Sequence, residues 1–240
     1  MVSIVGDARD LSAADFPRRY RILFFDPPWR YNDRRLIRKD GGVARFGIGT
    51  QRRYGSLSLS DLASIPLPDI AAPRCHVYLW ATAPLLDVAF DLMSSWRTPR
   101  GDPVFKYVTI AFVWVKLNKG IYSKMAASWS HLSARLPYTF AEALEHLIFF
   151  GTGFYTASNA ELVLLFRRGR PFKHGKDRKA RQVVLAPRIG DHSTKPEDPQ
   201  DRTAFMYPTV TERLEMFARR TKPGWDVFGN DPALDLFAQT

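Results

Sequence analysis

Cysteine is almost absent, because the chain has one, Cys75, among its 240 residues. A single thiol excludes a disulfide within the chain and a cluster of thiolate metal ligands, and such sparing use of cysteine is typical of a reducing compartment. The five histidines include no pair at the spacing of metal ligands. We therefore expect a cytoplasmic protein that has no disulfide framework and binds no metal.

Long apolar runs are also missing, since no stretch approaches the ~20 residues of a membrane-spanning helix. The first ten residues, MVSIVGDARD, lack the basic and then apolar pattern of a signal peptide. The glycine-rich phosphate motifs G-x-G-x-x-G and the P-loop do not occur, because Gly47-Ile48-Gly49 lacks both the third glycine and a preceding strand. These absences disfavour a membrane protein, a dehydrogenase and a nucleotide hydrolase.

Acidic residues are outnumbered by basic ones, 24 to 35, and the net charge of +11 is concentrated in two segments. Residues 34–53 hold seven Arg or Lys and one acidic residue, and residues 167–181 hold eight and one. Both segments are rich in Gly or Arg and poor in apolar periodicity, which predicts mobile loops. Two such loops favour a polyanionic partner such as nucleic acid. A solubilising surface without a ligand is the alternative.

Six short apolar runs, rich in β-branched and aromatic residues, predict strands over residues 21–25, 76–80, 107–116, 162–167, 182–186 and 225–229. Apolar residues at helical spacing predict helices over residues 85–96 and 140–149 and around residues 210–217. This alternation predicts one α/β domain over residues 1–240, with a mostly parallel sheet and helices on both faces. Ligands of such folds bind at the carboxyl ends of the strands.

Asp26-Pro27-Pro28-Trp29 follows the first strong strand, where a ligand is expected. The two prolines stiffen the turn and leave one carboxylate and one fixed carbonyl near an aromatic ring. Methylation of an exocyclic amine calls for two acceptors of the amino hydrogens, and the Asp26 carboxylate and the Pro27 carbonyl can supply them. Trp29 offers a stacking surface for an extruded base, a contact worth about 1–3 kcal/mol. The alternative is a structural Pro-Pro turn with an incidental aspartate.

The tetrapeptide resembles the D-P-P-W signature of the MT-A family, the adenine-N6 methyltransferases related to the eukaryotic mRNA-methylating enzyme. Six further segments resemble blocks of that family in the same order. They are residues 54–57 with 61–62 before a short helix, 77–82, 113–116, 151–153 with 160–161 and 168–169, 192–197, and a helix at 214–217 with 225–230. The resemblance covers roughly residues 21–230.

The resemblance implies a Rossmann-like methyltransferase fold with S-adenosylmethionine as the methyl donor. It implies that Lys195 contacts the methionine carboxylate of the cofactor, a role that suits a flexible point charge. The full set of residues implied for the cofactor is Asp26, Lys195, Phe228, Gly229 and Asn230. The chain departs from the family after Asn230, where the usual polar residues are replaced by residues 231–234. This departure leaves the ribose contacts open.

The substrate is expected to contact both the D-P-P-W motif and the two basic loops. The resemblance implies that Tyr54 contacts the target base beside Trp29. Four residues of the basic loops are predicted to hold phosphates: Arg52, Arg53, Lys173 and Lys176. A compact chain without an added RNA-binding module favours a bacterial or phage enzyme that acts on DNA.

Several alternatives stay open at this point. RNA is the alternative substrate, because a grip on phosphates is common to both nucleic acids. Some relatives are non-catalytic partner subunits that only help to bind nucleic acid, and related P-P-aromatic motifs serve cytosine N4 and glutamine amide methylation. Residues 119–150 form an insert that can recognise the target, mediate contacts in a homodimer, or simply add a packing helix.

Overall fold

Ten β-strands and four α-helices lie in the part of the chain that the structure describes. This computed structural model describes residues 1–29, 36–37, 43–44, 56–120, 147–151, 155–188 and 194–230. The strands are β1 (Ser3–Val5), β2 (Tyr20–Phe25), β3 (Leu36–Ile37), β4 (Val43–Ala44), β5 (Ala71–Ala81), β6 (Lys106–Leu117), β7 (Ala160–Arg168), β8 (Val183–Pro187), β9 (Arg213–Met216) and β10 (Asp226–Gly229). The helices are α1 (Leu59–Ser64), α2 (Leu67–Ile70), α3 (Leu86–Ser95) and α4 (Asp198–Met206).

Eight of the strands form one sheet in the order β1-β10-β9-β2-β5-β7-β6-β8. Strand β7 runs antiparallel to β5 and β6, and every other neighbouring pair is parallel. The predicted mostly parallel sheet is thereby confirmed. Strands β3 and β4, which lie inside the first basic segment, form a separate antiparallel pair.

Alternate side chains of the strands enter two cores on opposite faces of the sheet. One core joins Leu23 and Leu79 to the apolar faces of α1, α2 and α3. The other joins Phe24 and Trp80 to Trp225 and to the end of α4 at Met206. Helices therefore cover both faces, as the sequence pattern predicts.

The secondary structure confirms all six predicted strands and the helix predicted over residues 85–96. Helix α1 begins after a capping box at Ser58, whose hydroxyl accepts the Asp61 amide while the Asp61 carboxylate accepts the Ser58 amide. Of the helix predicted over residues 140–149, residues 140–146 lie outside the described residues. Ile148, which the structure does describe, forms a bridge with Leu117 instead of helix.

The helix predicted around residues 210–217 is wrong, because residues 213–216 form β9. Leu214 and Met216 point into one core, and β9 fills the position between β2 and β10 with parallel ladders on both sides. Spacings of three and four residues between Val210, Leu214 and Phe217 are helical only when taken alone. The buried backbone of a central strand must pair with its neighbours, and this requirement outweighs the local pattern.

The direction of β7 decides which loops lie near one another. We call the side of the sheet where β2, β5, β6, β9 and β10 end its carboxyl end, and the opposite side its amino end. Because β7 is reversed, Glu161 lies at the carboxyl end and Arg168 pairs with Cys75 near the amino end. The second basic segment therefore starts on the side of the sheet opposite to Asp26.

Candidate active site

Asp26 directly follows β2 at the carboxyl end of the sheet, and its backbone amide donates to the Met216 carbonyl of β9 at 3.4 Å. The two prolines then hold the chain in a tight turn. The Trp29 amide donates to the Pro27 carbonyl at 2.8 Å, and the Leu57 amide donates to the Pro28 carbonyl at 3.0 Å. The orientation of the Pro27 carbonyl is thereby fixed, and a carbonyl oxygen has a second lone pair for another donor.

The Trp29 ring is fixed over the end of the neighbouring strand. Its indole nitrogen donates to the Trp80 carbonyl at 3.3 Å, and the half-buried ring packs against the core. The backbone of Trp29 also forms a parallel bridge with Leu57. Three separate contacts thus hold an aromatic surface next to Asp26.

Four charged side chains of alternating sign, largely shielded from solvent, form a chain that ends at Asp26. The Lys195 ammonium lies 3.2 Å from Asp26 Oδ1 and 3.1 Å from Glu161 Oε2. The Lys116 ammonium lies 2.6 Å from Glu161 Oε1. Lys116 ends the W-V-K segment of β6, and Glu161 lies beside it near the start of β7, because Val115 pairs with Ala160. Four charges that neutralise one another can stay buried where a single charge could not.

The surroundings of these carboxyl groups shift their pKa values in opposite directions. Burial raises the pKa of Asp26 and outweighs the opposing pull of Lys195, and the negative charge of Glu161 adds to the rise. Burial also opposes ionisation of Glu161, but Lys195 and Lys116 together hold its pKa below the ordinary value. Burial disfavours the Lys195 ammonium, yet Asp26 and Glu161 raise its pKa above the ordinary value. Glu161 is therefore the firmly ionised member, while Asp26 is a more basic carboxylate.

Aromatic rings form the walls around the two lysines. The Lys195 ammonium lies 5.5 Å from the centroid of Trp80, and the Lys116 ammonium lies 5.2 Å from the centroid of Trp114. The two rings meet edge to face at 6.2 Å. Cations over indole faces are attracted by the ring quadrupole, which helps to hold both lysines at the carboxyl end.

A small, open cleft lies beside Asp26. Its lining residues are Asp26, Thr194, Lys195, Glu215, Phe217, Arg219 and Arg220. Burial raises the pKa of Glu215 to about 7, although a hydrogen bond from Gln200 opposes the rise. Phe217 has a φ of +63°, a strained conformation for a bulky residue that turns the chain sharply after β9. The cleft thus presents carboxyl groups, cations and an aromatic ring within one small space.

The loop that carries Lys195 is tied to the loop after β9 by a second set of charges. Glu197 pairs with Arg220 at 3.0 Å and with Lys222 at 2.5 Å, and Lys222 also pairs with Asp201 at 2.7 Å. Arg220 donates in addition to the Lys195 carbonyl at 3.1 Å. These contacts fix the backbone of Lys195 relative to the cleft.

The residues predicted to bind the cofactor are only partly brought together. Asp26 and Lys195 are in contact, as described above. Phe228 is buried in the core against Phe217 and Phe16, and Gly229 pairs with Val5 of β1, so neither lines the cleft. Asn230 is exposed at the carboxyl end of β10, two strands away from β2.

Of the residues predicted to bind the substrate, Trp29 lies beside Asp26, whereas Tyr54, Arg52 and Arg53 lie outside the described residues. Lys173 and Lys176 are exposed, but their segment follows β7 at the amino end of the sheet. The structure does not bring these two lysines near Asp26.

The prediction of a mobile loop over residues 167–181 also needs correction. Residues 167 and 168 belong to β7, and Phe172 is buried with its ring stacked on His76 at 3.9 Å. The Gly175 amide donates to the Met206 carbonyl of α4 at 2.8 Å. A buried aromatic anchor and a backbone hydrogen bond hold this segment on the folded domain.

Sequence reasoning missed five charged residues at the carboxyl end. They are Lys116, Glu161, Glu215, Arg219 and Arg220. Lys116 and Glu161 share one signal, a charge at the boundary of an apolar strand pattern, where a buried sheet offers no reason for one. The other three lie in or after the segment predicted as a helix and carry no such signal. Both Lys116 and Glu161 stand in segments that carry the family resemblance.

Neither a metal site nor a membrane span occurs among the residues that the structure describes. These ranges contain no group of three or more His, Cys, Asp or Glu side chains arranged to hold a metal ion. None of their helices has the length and apolar character needed to cross a bilayer.

Comparison with known proteins places the chain beside methyltransferases. The family model described as MT-A70 matches residues 20–231. The chain is 29% identical to the type II methyltransferase M.MunI of a Mycoplasma species over 221 residues, 88% of this chain and 77% of that protein. It is 24% identical to the human N(6)-adenine-specific methyltransferase METTL4 over 223 residues, 90% of this chain and 38% of the human protein. The chain thus spans well under half of the human protein, whereas its match with M.MunI covers most of both chains.

Proposed function

This chain belongs to the MT-A70 family, and we propose that it transfers the methyl group of S-adenosylmethionine to the N6 amino group of adenine in DNA. The chain has the α/β methyltransferase fold of that family, and the likeness to an N(6)-adenine-specific methyltransferase supports the acceptor. The higher identity to a type II methyltransferase supports DNA. The observation that carries the proposal is the fixed pair of acceptors, Asp26 and the Pro27 carbonyl, next to a charged cleft.

The side chains that line the cleft beside Asp26 suit the chemical groups of S-adenosylmethionine, which supplies an electrophilic methyl group bound to a positively charged sulfur. Lys195 and Arg219 are cations suited to the carboxylate of the methionine part. The Glu215 carboxyl is suited to an ammonium or a hydroxyl, and the Phe217 ring is suited to a flat base. The raised pKa of Glu215 supports this assignment, because a nearby positive charge would stabilise its ionised form.

The proposed chemistry places the amino group of adenine against two acceptors. The Asp26 carboxylate accepts one amino hydrogen and the Pro27 carbonyl accepts the other, which favours a tetrahedral nitrogen with an available lone pair. The raised pKa of Asp26 makes it a stronger acceptor than an ordinary aspartate. The Trp29 ring is fixed by its hydrogen bond to the Trp80 carbonyl. It stacks against the adenine after the base has left the stacked bases of the DNA duplex.

Identification of the methylated nucleoside tests the proposal. Purified protein is incubated with labelled S-adenosylmethionine and duplex DNA, single-stranded DNA or RNA, and the digested products are analysed by mass spectrometry. We expect the wild-type chain to produce N6-methyl-2′-deoxyadenosine from DNA, and Asp26→Asn to produce little of it. Asp91→Asn, an exposed aspartate on α3, is the matched control and should behave as wild type.

Each remaining outcome points to a different reading. If only RNA is methylated, the substrate is RNA and not DNA. If the product is N4-methylcytosine, the methylated base is cytosine and not adenine. Cofactor binding without any product would indicate that this chain needs a partner subunit for catalysis. Failure to bind the cofactor would leave a non-catalytic nucleic-acid-binding role.

A further inference from the structure

Basic side chains also gather at the amino end of the sheet, far from Asp26. Arg19 precedes β2, Arg74 lies in the first part of β5, Arg170 follows β7 and Lys106 begins β6, and all four are exposed. These strands are consecutive neighbours in the order β2-β5-β7-β6. At about 4.8 Å between strands, the four cations span a band about 14 Å wide.

The segment after β7 extends this band with more cations on a fixed backbone. Lys173, Lys176 and Lys179 are exposed, and Asp177 is the one acidic residue among residues 167–181. Within the described ranges, no carboxylate pairs with Lys106, Lys173 or Lys176. Their charges are therefore available to an anion from outside.

Four contacts hold this segment in place. The buried Phe172 ring stacks on His76 and lies 5.3 Å below the Arg21 guanidinium. Arg74 donates to the Arg170 carbonyl at 3.3 Å, and the Gly175 amide donates to Met206 at the end of α4. A cation held on an anchored backbone loses less freedom when it binds a phosphate than one on a free loop.

The register of the sheet separates this band from the active site. Phe25 pairs with Leu79, so Asp26 lies level with the next residue of β5, whereas Arg168 pairs with Cys75. These levels differ by five residues, or about 17 Å along the strand. Lys173 and Lys176 follow Arg168 in a segment whose Phe172 ring stacks on His76, near the same end of the sheet. A phosphate bound there cannot belong to the nucleotide whose base lies at Asp26.

We propose that the amino end of the sheet is a second nucleic-acid surface, which binds the sugar-phosphate backbone of a segment other than the one that holds the target adenine. The identification of the polyanion as nucleic acid rests on the proposed function. The position and the charge of the surface are independent of that function. Duplex DNA carries one negative charge per ~1.7 Å of its axis, so a band of this width faces several phosphates. The surface raises affinity for long substrates and carries no base specificity.

The test compares duplexes of about 8 and about 40 base pairs, each with the target adenine at its centre. At 3.4 Å per pair the shorter duplex extends only about 14 Å on either side of the adenine, less than the ~17 Å between the two ends of the sheet. Binding is measured by fluorescence anisotropy for the wild type and for a variant with Lys173→Gln, Lys176→Gln and Lys179→Gln together. We expect the variant to bind the long duplex about tenfold more weakly, with a salt slope smaller by up to about 2.7, at 0.9 per phosphate contact. Binding and methylation of the short duplex should stay unchanged.

The matched control replaces the same three lysines by arginine, which keeps the charge and should keep wild-type binding of the long duplex. Wild-type affinity and salt slope in the glutamine variant would overturn the proposal. Equal losses on short and long duplexes would also overturn it, since the surface would then belong to the active site. Loss of binding to vesicles rich in phosphatidylserine, with duplex binding intact, would identify a lipid surface instead. A loss confined to long duplexes, in a chain that methylates nothing, would support this surface while the proposed function failed.

Discussion

The Lys195 ammonium lies 3.2 Å from Asp26 Oδ1, and this contact joins the carboxylate proposed to act on the amine to the cleft proposed to hold the cofactor. The other side of the same ammonium faces Glu161. A single lysine therefore neutralises two largely shielded carboxylates. Changes at any of the three residues should alter stability, cofactor affinity and the ionisation of Asp26 together.

Replacement of Lys195 by methionine should destabilise the fold. The side chain keeps most of its apolar length, but Asp26 loses its nearest cation, and a buried charge without a partner typically costs about 3–5 kcal/mol. We expect the free energy of unfolding in urea to fall by about 2–4 kcal/mol, because Lys116 still pairs with Glu161. The double variant with Glu161→Gln should lose less than the sum of the single losses. Additive losses would show that the two residues do not interact.

Glu161→Gln should shift the pH dependence of methyl transfer. The negative charge of Glu161 contributes to the raised pKa of Asp26, so its removal should lower that pKa. Asp26 must be ionised to accept an amino hydrogen, and activity should therefore rise with pH through its pKa. We expect the acid limb of kcat/KM to move to lower pH in the variant, a readout that a simple loss of packing would not move. An acid limb that stays in place or moves to higher pH would contradict the claim that Glu161 raises the pKa of Asp26.

Glu215 should make stability depend on pH. Its pKa is raised to about 7 in the folded chain, against about 4.3 when it is unfolded. Between these values the folded chain holds a proton that the unfolded chain has released, so the free energy of unfolding should fall as the pH rises through this window. Glu215→Gln should remove a fall of about 1–3 kcal/mol between pH 5 and pH 8 in urea unfolding. Glu212→Gln, three residues earlier, should leave the fall unchanged, and an equal effect at both positions would argue against Glu215 as its source.

Two variants of Trp29 should distinguish the stacking of the base on the ring from the positioning of the ring. Trp29→Ala removes the aromatic surface, and a lost stacking contact of about 1–3 kcal/mol predicts a KM for nucleic acid raised by about 5- to 150-fold. Trp29→Phe keeps a ring but loses the bond to the Trp80 carbonyl, worth about 1 kcal/mol, so its effect should fall mainly on kcat. Steady-state kinetics on one oligonucleotide measures both. An unchanged KM in Trp29→Ala would exclude a stacking role.

The strands and Asp26 were predictable from the sequence because both carry local signals. Buried parallel strands appear as apolar runs, and a carboxylate with two prolines at the end of such a run is a local pattern. The strand β9 was mistaken for a helix because four residues are too few to distinguish the two periods. Its central position between β2 and β10 depends on the whole sheet.

The partners of Lys195 and the place of the second basic segment were not predictable in this way. Glu161 and Lys116 lie 45 residues apart in sequence and meet only because β7 runs antiparallel beside β6. The same reversal places Lys173 and Lys176 at the amino end. Strand direction is a property of the tertiary fold, and an apolar run has the same appearance in both directions.

The central claim is that the Asp26 carboxylate acts directly on the amino group, and the maximal rate of Asp26→Asn tests it most directly. The amide keeps the size of the side chain but loses the charge, and removal of one positioned electrostatic group typically lowers kcat by about 100- to 1,000-fold. At saturating S-adenosylmethionine and DNA, with cofactor binding confirmed by calorimetry, we predict a fall in kcat of this size. A kcat within about threefold of wild type would correspond to well under 1 kcal/mol of transition-state stabilisation and would contradict the account.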